Sequence, residues 1–128
     1  MRNNILVSGS LTYDTIFGLQ GKIKEQIVLD NGKLGNQSLM FTGREKQVYF
    51  GGTGGNIAYG LGKLGIPSFL VSVVGQDFDI FEKHLKKLGV KLRVKKVKDQ
   101  YCSTFYAMTD ENGEQIGVYQ GGCSDKHL

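Results

Sequence analysis

The chain has 128 residues, a net charge of +4, 40% hydrophobic and 22% charged residues. These are the values of one globular domain or of a piece of a larger one, and they exclude a disordered chain. No segment approaches the ~20 apolar residues of a membrane span, and Ile5-Leu6-Val7 is too short for a signal peptide, so a soluble, cytoplasmic protein with no membrane partner is expected.

Ile5 to Ser10 is a short β-branched run that predicts a buried first strand. Leu11 to Phe17 continues extended and carries Asp14. Residues 18–50 have no helical period and are punctuated by Gly18, Gly21, Gly32, Gly35 and Gly43. Short strands are expected there near Gln26–Leu29, Ser38–Phe41 and Gln47–Phe50. A long glycine-punctuated excursion is more often a functional, lid-like segment than filler. Gly54 to Leu64 predicts a helix, with Ile57, Leu61 and Leu64 at helical spacing, closed at Gly65-Ile66-Pro67. Ser68 to Val74 has the unbroken apolar character of a fully buried strand.

Phe78 to Leu88 predicts an amphipathic helix with Phe78, Phe81, Leu85 and Leu88 inward, ended by Gly89. Leu92 to Val97 is a basic strand suited to a sheet edge. Tyr101–Thr109 and Gln115–Tyr119 flank Asp110-Glu111-Asn112-Gly113, a hairpin signal. Two helices and this strand order predict a mainly parallel α/β sheet with an added β sheet.

The basic residues cluster between Lys83 and Lys98. A solvated helix face and edge strand account for them, and no recognition helix, zinc spacing or aromatic nucleic-acid motif accompanies them. Nucleic acid is therefore not expected as a partner. Cys102 and Cys123 have no metal-ligand spacing. A reduced pair is expected, although sequence alone does not exclude a disulfide. His84 and His127 read as surface residues, and Asp77 and Asp79 as caps of the helix that follows. Neither a catalytic group nor a metal-binding set is visible.

Glycine is in excess, nineteen residues against an average share of ~7%. The densest run is Gly51-Gly52-Thr53-Gly54-Gly55-Asn56. It lacks the Gly-Lys-Ser/Thr ending of a triphosphate loop. Gly60-Leu61-Gly62-Lys63-Leu64-Gly65 matches a dinucleotide pattern in letters only, because it falls in the second half of a helix. Two readings of the 51–56 run stand: a tight strand-to-helix turn, or a site whose backbone N–H groups and Asn56 amide hold a hydroxyl-bearing ligand. Asp14 likewise is either a turn residue or an acceptor for two neighbouring hydroxyls, as in a ribose diol. Gly60 and Gly62 inside a helix cost ~1 kcal/mol each, which calls for a close neighbour or leaves the helix weak.

The run Gly51-Gly52-Thr53-Gly54-Gly55-Asn56-Ile57-Ala58, with Gly65 and Gly75 beyond it, resembles the first signature of the ribokinase-like (PfkB) sugar and nucleoside kinases. Val7-Ser8-Gly9-Ser10-Leu11-Thr12-Tyr13-Asp14 resembles the first strand of that family, and Gln115 to Gly122 its second lid segment. The wording is nearest to the adenosine or nucleoside kinase branch. The resemblance implies the N-terminal part of a Rossmann-like α/β ribokinase fold with a small β-sheet lid. All of 1–128 would belong to it, with lid segments at 18–50 and 99–122.

It also implies phosphoryl transfer from ATP, with Mg²⁺, to a hydroxymethyl group of a nucleoside or sugar. By position Asp14, Gly52 and Asn56 match the acceptor-binding residues, with Thr12 and Gly51 beside them. Phe17, Phe41 and Tyr106 are candidate lid aromatics. The family's catalytic aspartate, in a Gly-Ala-Gly-Asp-like motif, has no counterpart here, nor has most of the ATP and Mg²⁺ site. An acceptor-binding half, inactive alone, is the expectation; a non-catalytic nucleoside- or sugar-binding module is the alternative. A homodimer through the lid, or a complementary C-terminal chain, would be the protein partner.

Overall fold

The computed structural model describes residues 5–27, 29, 31–33 and 39–125. Its strands form two sheets. The first has three parallel strands in the order β1 (Ile5–Ser8), β4 (Ser68–Val74), β5 (Lys91–Lys96). The second has four, in the order β3 (Gly43–Gly51), β2 (Thr12–Leu19), β6 (Ser103–Thr109), β7 (Gln115–Gln120). In it β2 pairs parallel with β6, while β3 and β7 run antiparallel to their neighbours. Helices α2 (Thr53–Lys63) and α3 (Asp79–Lys86) pack on each other and on the first sheet. The α/β class expected from the alternating elements is the class observed.

The core joins these layers. Val7, Leu70 and Val74 of the first sheet meet Ala58 of α2, Phe81 and Leu85 of α3, and Leu11 and Cys102 from the sheet junctions. Tyr13 and Phe50 pack in from the second sheet. The Tyr13 hydroxyl donates to the Asp77 carbonyl at 2.9 Å. Burial, with the nearby Cys102 adding to it, pushes the Tyr13 pKa up to about 12.

Several local expectations change once the layers are assembled. The first strand is an edge rather than a buried strand: Val7 is buried, but Ile5 and Leu6 are exposed. Asp14 lies inside β2, in the other sheet. The buried residues of α2 are Gly54, Gly55 and Ala58, whereas Ile57 and Leu64 face solvent. Small residues line that face because the helix lies almost against the backbone beneath it. Asp77 and Asp79 do not cap α3. Asp77 instead accepts the Cys102 N–H at 2.7 Å, and Asp79 pairs with Lys96 at 3.0 Å. His84 is not a plain surface residue, for its ring stacks between Phe50 and Tyr59 at 4.4 and 5.4 Å between centroids.

The two helix glycines separate. A Cβ on Gly62 would stand 2.8 Å from Leu88 Cβ, so close packing explains it, whereas Gly60 has nothing within 4 Å. The basic segment is dispersed, with Lys86 bonded to Glu82 and Lys91 and Arg93 lying over Phe69.

The 18–50 excursion contains a helical turn, α1 (Ile23–Gln26), where a strand at Gln26–Leu29 was expected. Val28 and Ser38 lie outside the described residues, and residues 39–41 are not in a strand. The expected Gln47–Phe50 strand lies within β3. Asp110 ties this excursion to the hairpin. Its carboxylate accepts the N–H groups of Ile23, Asn112 and Glu114 at 2.8, 2.8 and 2.9 Å. Burial works against its charge, but these three donors outweigh it and hold its pKa below the usual carboxylate value.

A depressed carboxylate stabilises the fold fully above its unfolded pKa and loses that contribution as pH falls through the folded one. Asp110→Ala should therefore abolish hydrogen-exchange protection at the Ile23, Asn112 and Glu114 amides while leaving the β4 amides protected. Protection lost equally in β4 would mean that Asp110 supports the whole domain instead.

Candidate functional site

The glycine run sits where the two sheets meet. β3 ends at Gly51, opposite Thr12 of β2, and α2 begins two residues later. Gly52 has φ +84°, and a Cβ there would lie 2.5 Å from the Ser10 carbonyl oxygen. A Cβ on Gly54 would lie 2.7 Å from both the carbonyl carbon and oxygen of Gly9. These glycines thus let the β1–β2 turn and the start of α2 touch backbone to backbone. Two of the turn's donors are engaged within the protein: Thr53 N–H points to Ser10 Oγ at 3.4 Å, and Gly55 N–H bonds to Ser10 O at 3.2 Å. The N–H groups of Thr53 and Gly55 are therefore not the free donors that the glycine pattern suggests.

What faces outward is side-chain chemistry. Asp14 lies across from Tyr49 on β3 and Phe105 on β6. Its carboxylate leans over Gly51, where a Cβ would come within 2.8 Å of the Asp14 Cγ. Glycine at 51 is what gives the carboxylate its place. Partial burial raises the Asp14 pKa. Among the described residues Asp14 accepts no hydrogen bond. Asn56, whose N–H bonds to Gly52 O at 2.9 Å, exposes its amide from the first turn of α2.

Thr12 is buried two residues before Asp14 and on the same sheet face. The structure therefore brings Thr12, Asp14 and Gly51 together directly, and connects Asn56 to them through Gly52. A carboxylate beside an amide offers acceptors and donors for a polyhydroxylated ligand.

The candidate aromatics divide by strand parity. Alternate residues face opposite sides of a sheet. Tyr49, Phe105 and Tyr119 occupy the positions in register with Asp14, whereas Phe17 and Tyr106 are on the reverse face. Phe17 and Phe41 line a cavity of 430 Å³ with Arg44 and Lys46. Tyr106 lines another of 350 Å³ with Asp77, Tyr101, Thr104 and Gln120. Neither cavity includes Asp14 or Asn56. Tyr49, Phe105 and Tyr119 were legible in the sequence by counting in twos, but only after the strand pairing was known.

The 51–56 turn has no lysine or arginine to meet a triphosphate. The turn's N–H groups at Thr53 and Gly55 have internal acceptors. Among the described residues no three His, Cys, Asp or Glu side chains gather as metal ligands. No described helix is long and apolar enough to cross a membrane.

Comparison with known proteins bears on this geometry. Residues 21–127 match the sequence profile of the pfkB family carbohydrate kinases. Gly51, Gly52 and Asn56 fall inside that stretch, Thr12 and Asp14 just before it. A nucleoside kinase of Methanocaldococcus jannaschii is 33% identical over 82 residues, which are 62% of this chain and 27% of that protein. The crystal structure of the M. jannaschii nucleoside kinase, described as an archaeal member of the ribokinase family, superposes with a TM-score of 0.78 at 25% identity, over 98% of this chain and 38% of its own. Burkholderia thailandensis nucleoside kinase in complex with inosine superposes with a TM-score of 0.70 at 28% identity, over 93% of this chain and 37% of its own. The chain thus has the ribokinase fold and spans well under half the length of these relatives.

Proposed function

Because the chain belongs to the pfkB family of carbohydrate kinases, we propose that it is the acceptor-binding, lid-bearing N-terminal portion of an ATP-dependent nucleoside kinase. The observation that carries this reading is Asp14: a partly buried carboxylate with no hydrogen-bond partner among the described residues, leaning over Gly51 beside the start of α2. Such a group is costly unless something donates to it. Two hydroxyls of a ribose would do so, with the Asn56 amide completing the set and Thr12, Gly51 and Gly52 forming the floor. Inosine, held by the Burkholderia relative, is the acceptor we assign first, over free ribose. Tyr49, Phe105 and Tyr119 share the face of Asp14 and would lie on the acceptor side of the lid.

In this family ATP and Mg²⁺ supply the phosphoryl group and the neutralisation of its charge. The residues of this chain bind and orient the hydroxymethyl acceptor. The base that takes the acceptor's proton, and the anion site for the transferred group, must come from elsewhere. The reverse face of the first sheet supports a complementary chain as the source: Leu6, Phe69 and Val71 share it, and no described helix covers it. Exposed Val48, Tyr106 and Val118 on the second sheet support self-association there. A cytoplasmic location fits both.

The purified chain should bind inosine saturably and show no ATP-dependent phosphorylation of inosine, adenosine or ribose. Turnover by the chain alone would overturn the acceptor-half reading, and absence of any nucleoside or ribose binding would remove the site. The Asp14 carboxylate and the exposed Asn56 amide also suit a second reading, a non-catalytic binding module. Adding a polypeptide that corresponds to the remaining part of the fold separates the two: a kinase portion gains turnover, a binding module does not.

A further inference from the structure

We propose that Cys102 and Cys123 are a redox-modification site, at which a disulfide-class oxidant such as oxidised glutathione joins the two thiols and clamps the base of the β6–β7 hairpin. The two residues mark the two legs of that hairpin. Cys102 immediately precedes β6, and Cys123 lies in a short 3₁₀ segment, Gly122–Asp125, just after β7. The legs run side by side. Cys123 N–H donates to Tyr101 O at 2.9 Å, and the Ser103 and Ser124 hydroxyls are hydrogen-bonded at 2.6 Å.

The sulfurs converge on one end of β4. Cys102 Sγ accepts the Gly75 N–H at 3.2 Å, and the Cys123 thiol donates to Val73 O at 3.6 Å. Val73 and Gly75 are two residues apart, so both thiols are held at the same end of one strand. A disulfide needs short Cα and Cβ separations, and the Cys123–Tyr101 and Ser103–Ser124 hydrogen bonds hold together the two stretches of chain that carry the cysteines.

Other uses of the pair are weaker. Both side chains are fully buried and both are free thiols. Burial drives both pKa values up, that of Cys102 to about 12, so neither is a standing nucleophile. No metal-ligand cluster forms around them among the described residues. Exchange must wait for the 3₁₀ segment to open locally.

In the first step one cysteine thiolate attacks a sulfur of oxidised glutathione, forming a mixed disulfide and releasing one glutathione thiolate. In the second the other cysteine thiolate attacks the protein-bound sulfur of that mixed disulfide and releases a second glutathione thiolate. Two protein thiols are oxidised, one glutathione disulfide is reduced to two thiols, and the protons pass to those products. The closed bond encloses the whole β6–β7 hairpin and holds its base on β4. This inference stands independently of the acceptor assigned above.

The test is incubation of the reduced full chain with oxidised glutathione, followed by alkylation under denaturing conditions and peptide mapping. Both thiols should disappear together, without a glutathione adduct or a dimer, and a single Cys102–Cys123 peptide pair should appear that a thiol reductant dissolves. Amide exchange in β6 and β7 should slow in the oxidised chain. Cys102→Ser and Cys123→Ser should each stop at the mixed glutathione disulfide. Wild-type chains that end as glutathione adducts or intermolecular dimers would overturn the proposal. So would thiols that survive under conditions in which the Gly122–Asp125 amides exchange.

Discussion

Alanine at position 54 should lower the unfolding free energy by about 3 kcal/mol, the upper end of what overpacking costs. Its Cβ would be placed 2.7 Å from the carbonyl carbon and oxygen of Gly9. Both are backbone atoms, so no side chain can rotate away, and the turn between the sheets must shift. Helix propensity acts in the opposite direction, by ~1 kcal/mol in favour of alanine, and is too small to compensate. Gly60 is the control on the same helix. Nothing lies within 4 Å of a Cβ there, so Gly60→Ala should gain ~1 kcal/mol. Urea midpoints of the two variants settle the point: a Gly54→Ala chain as stable as Gly60→Ala would show that the glycine run is not a packing device.

Replacing Asp14 with asparagine should weaken inosine binding by about 100-fold, some 2.7 kcal/mol, the scale of losing one or two charge-assisted hydrogen bonds. The same change should not destabilise the empty protein. Burial raises the Asp14 pKa in the folded state above its unfolded value, so the folded chain binds this proton more tightly. The carboxylate's charge therefore costs stability as pH rises through the folded pKa, and costs nothing below the unfolded pKa. Wild type and variant should converge in acid, with the variant the more stable of the two at neutral pH. Calorimetric titration with inosine and denaturation across pH read the two halves separately. Unchanged affinity would remove Asp14 from the site, and a less stable empty variant would make the carboxylate a structural group.

The site was only partly legible in the sequence. The Gly51–Asn56 run and Asp14 stand out because glycine density and a carboxylate in an apolar stretch are local anomalies. Their meaning was less accessible. The glycines suggested free N–H groups, yet Ser10 takes the donors of Thr53 and Gly55. That contact joins residues more than forty apart, and no window of neighbouring residues contains it. Phe17 and Tyr106 were candidates as lid aromatics because they are aromatic. Strand pairing puts them on the side of the sheet away from Asp14.

The sequence by itself determined the elements whose causes are local. The apolar run of β4, the Asn112-Gly113 hairpin, the amphipathic α3 and the glycine end of α2 all follow from backbone preference and short-range period, which neighbouring residues carry between them. Only the tertiary structure decided which side of an element is covered. Ile57 and Leu64 have helical spacing but face solvent, because α2 approaches Gly9 through Gly54 rather than through its larger residues. β1 is apolar yet lies at an edge. Asp14 accepts no hydrogen bond among the described residues, and Cys102 and Cys123 reach the same end of β4, because of what the two sheets bring together. Burial and pairing are properties of what packs against a residue, and that partner is set by the fold rather than by the residue's neighbours in the chain.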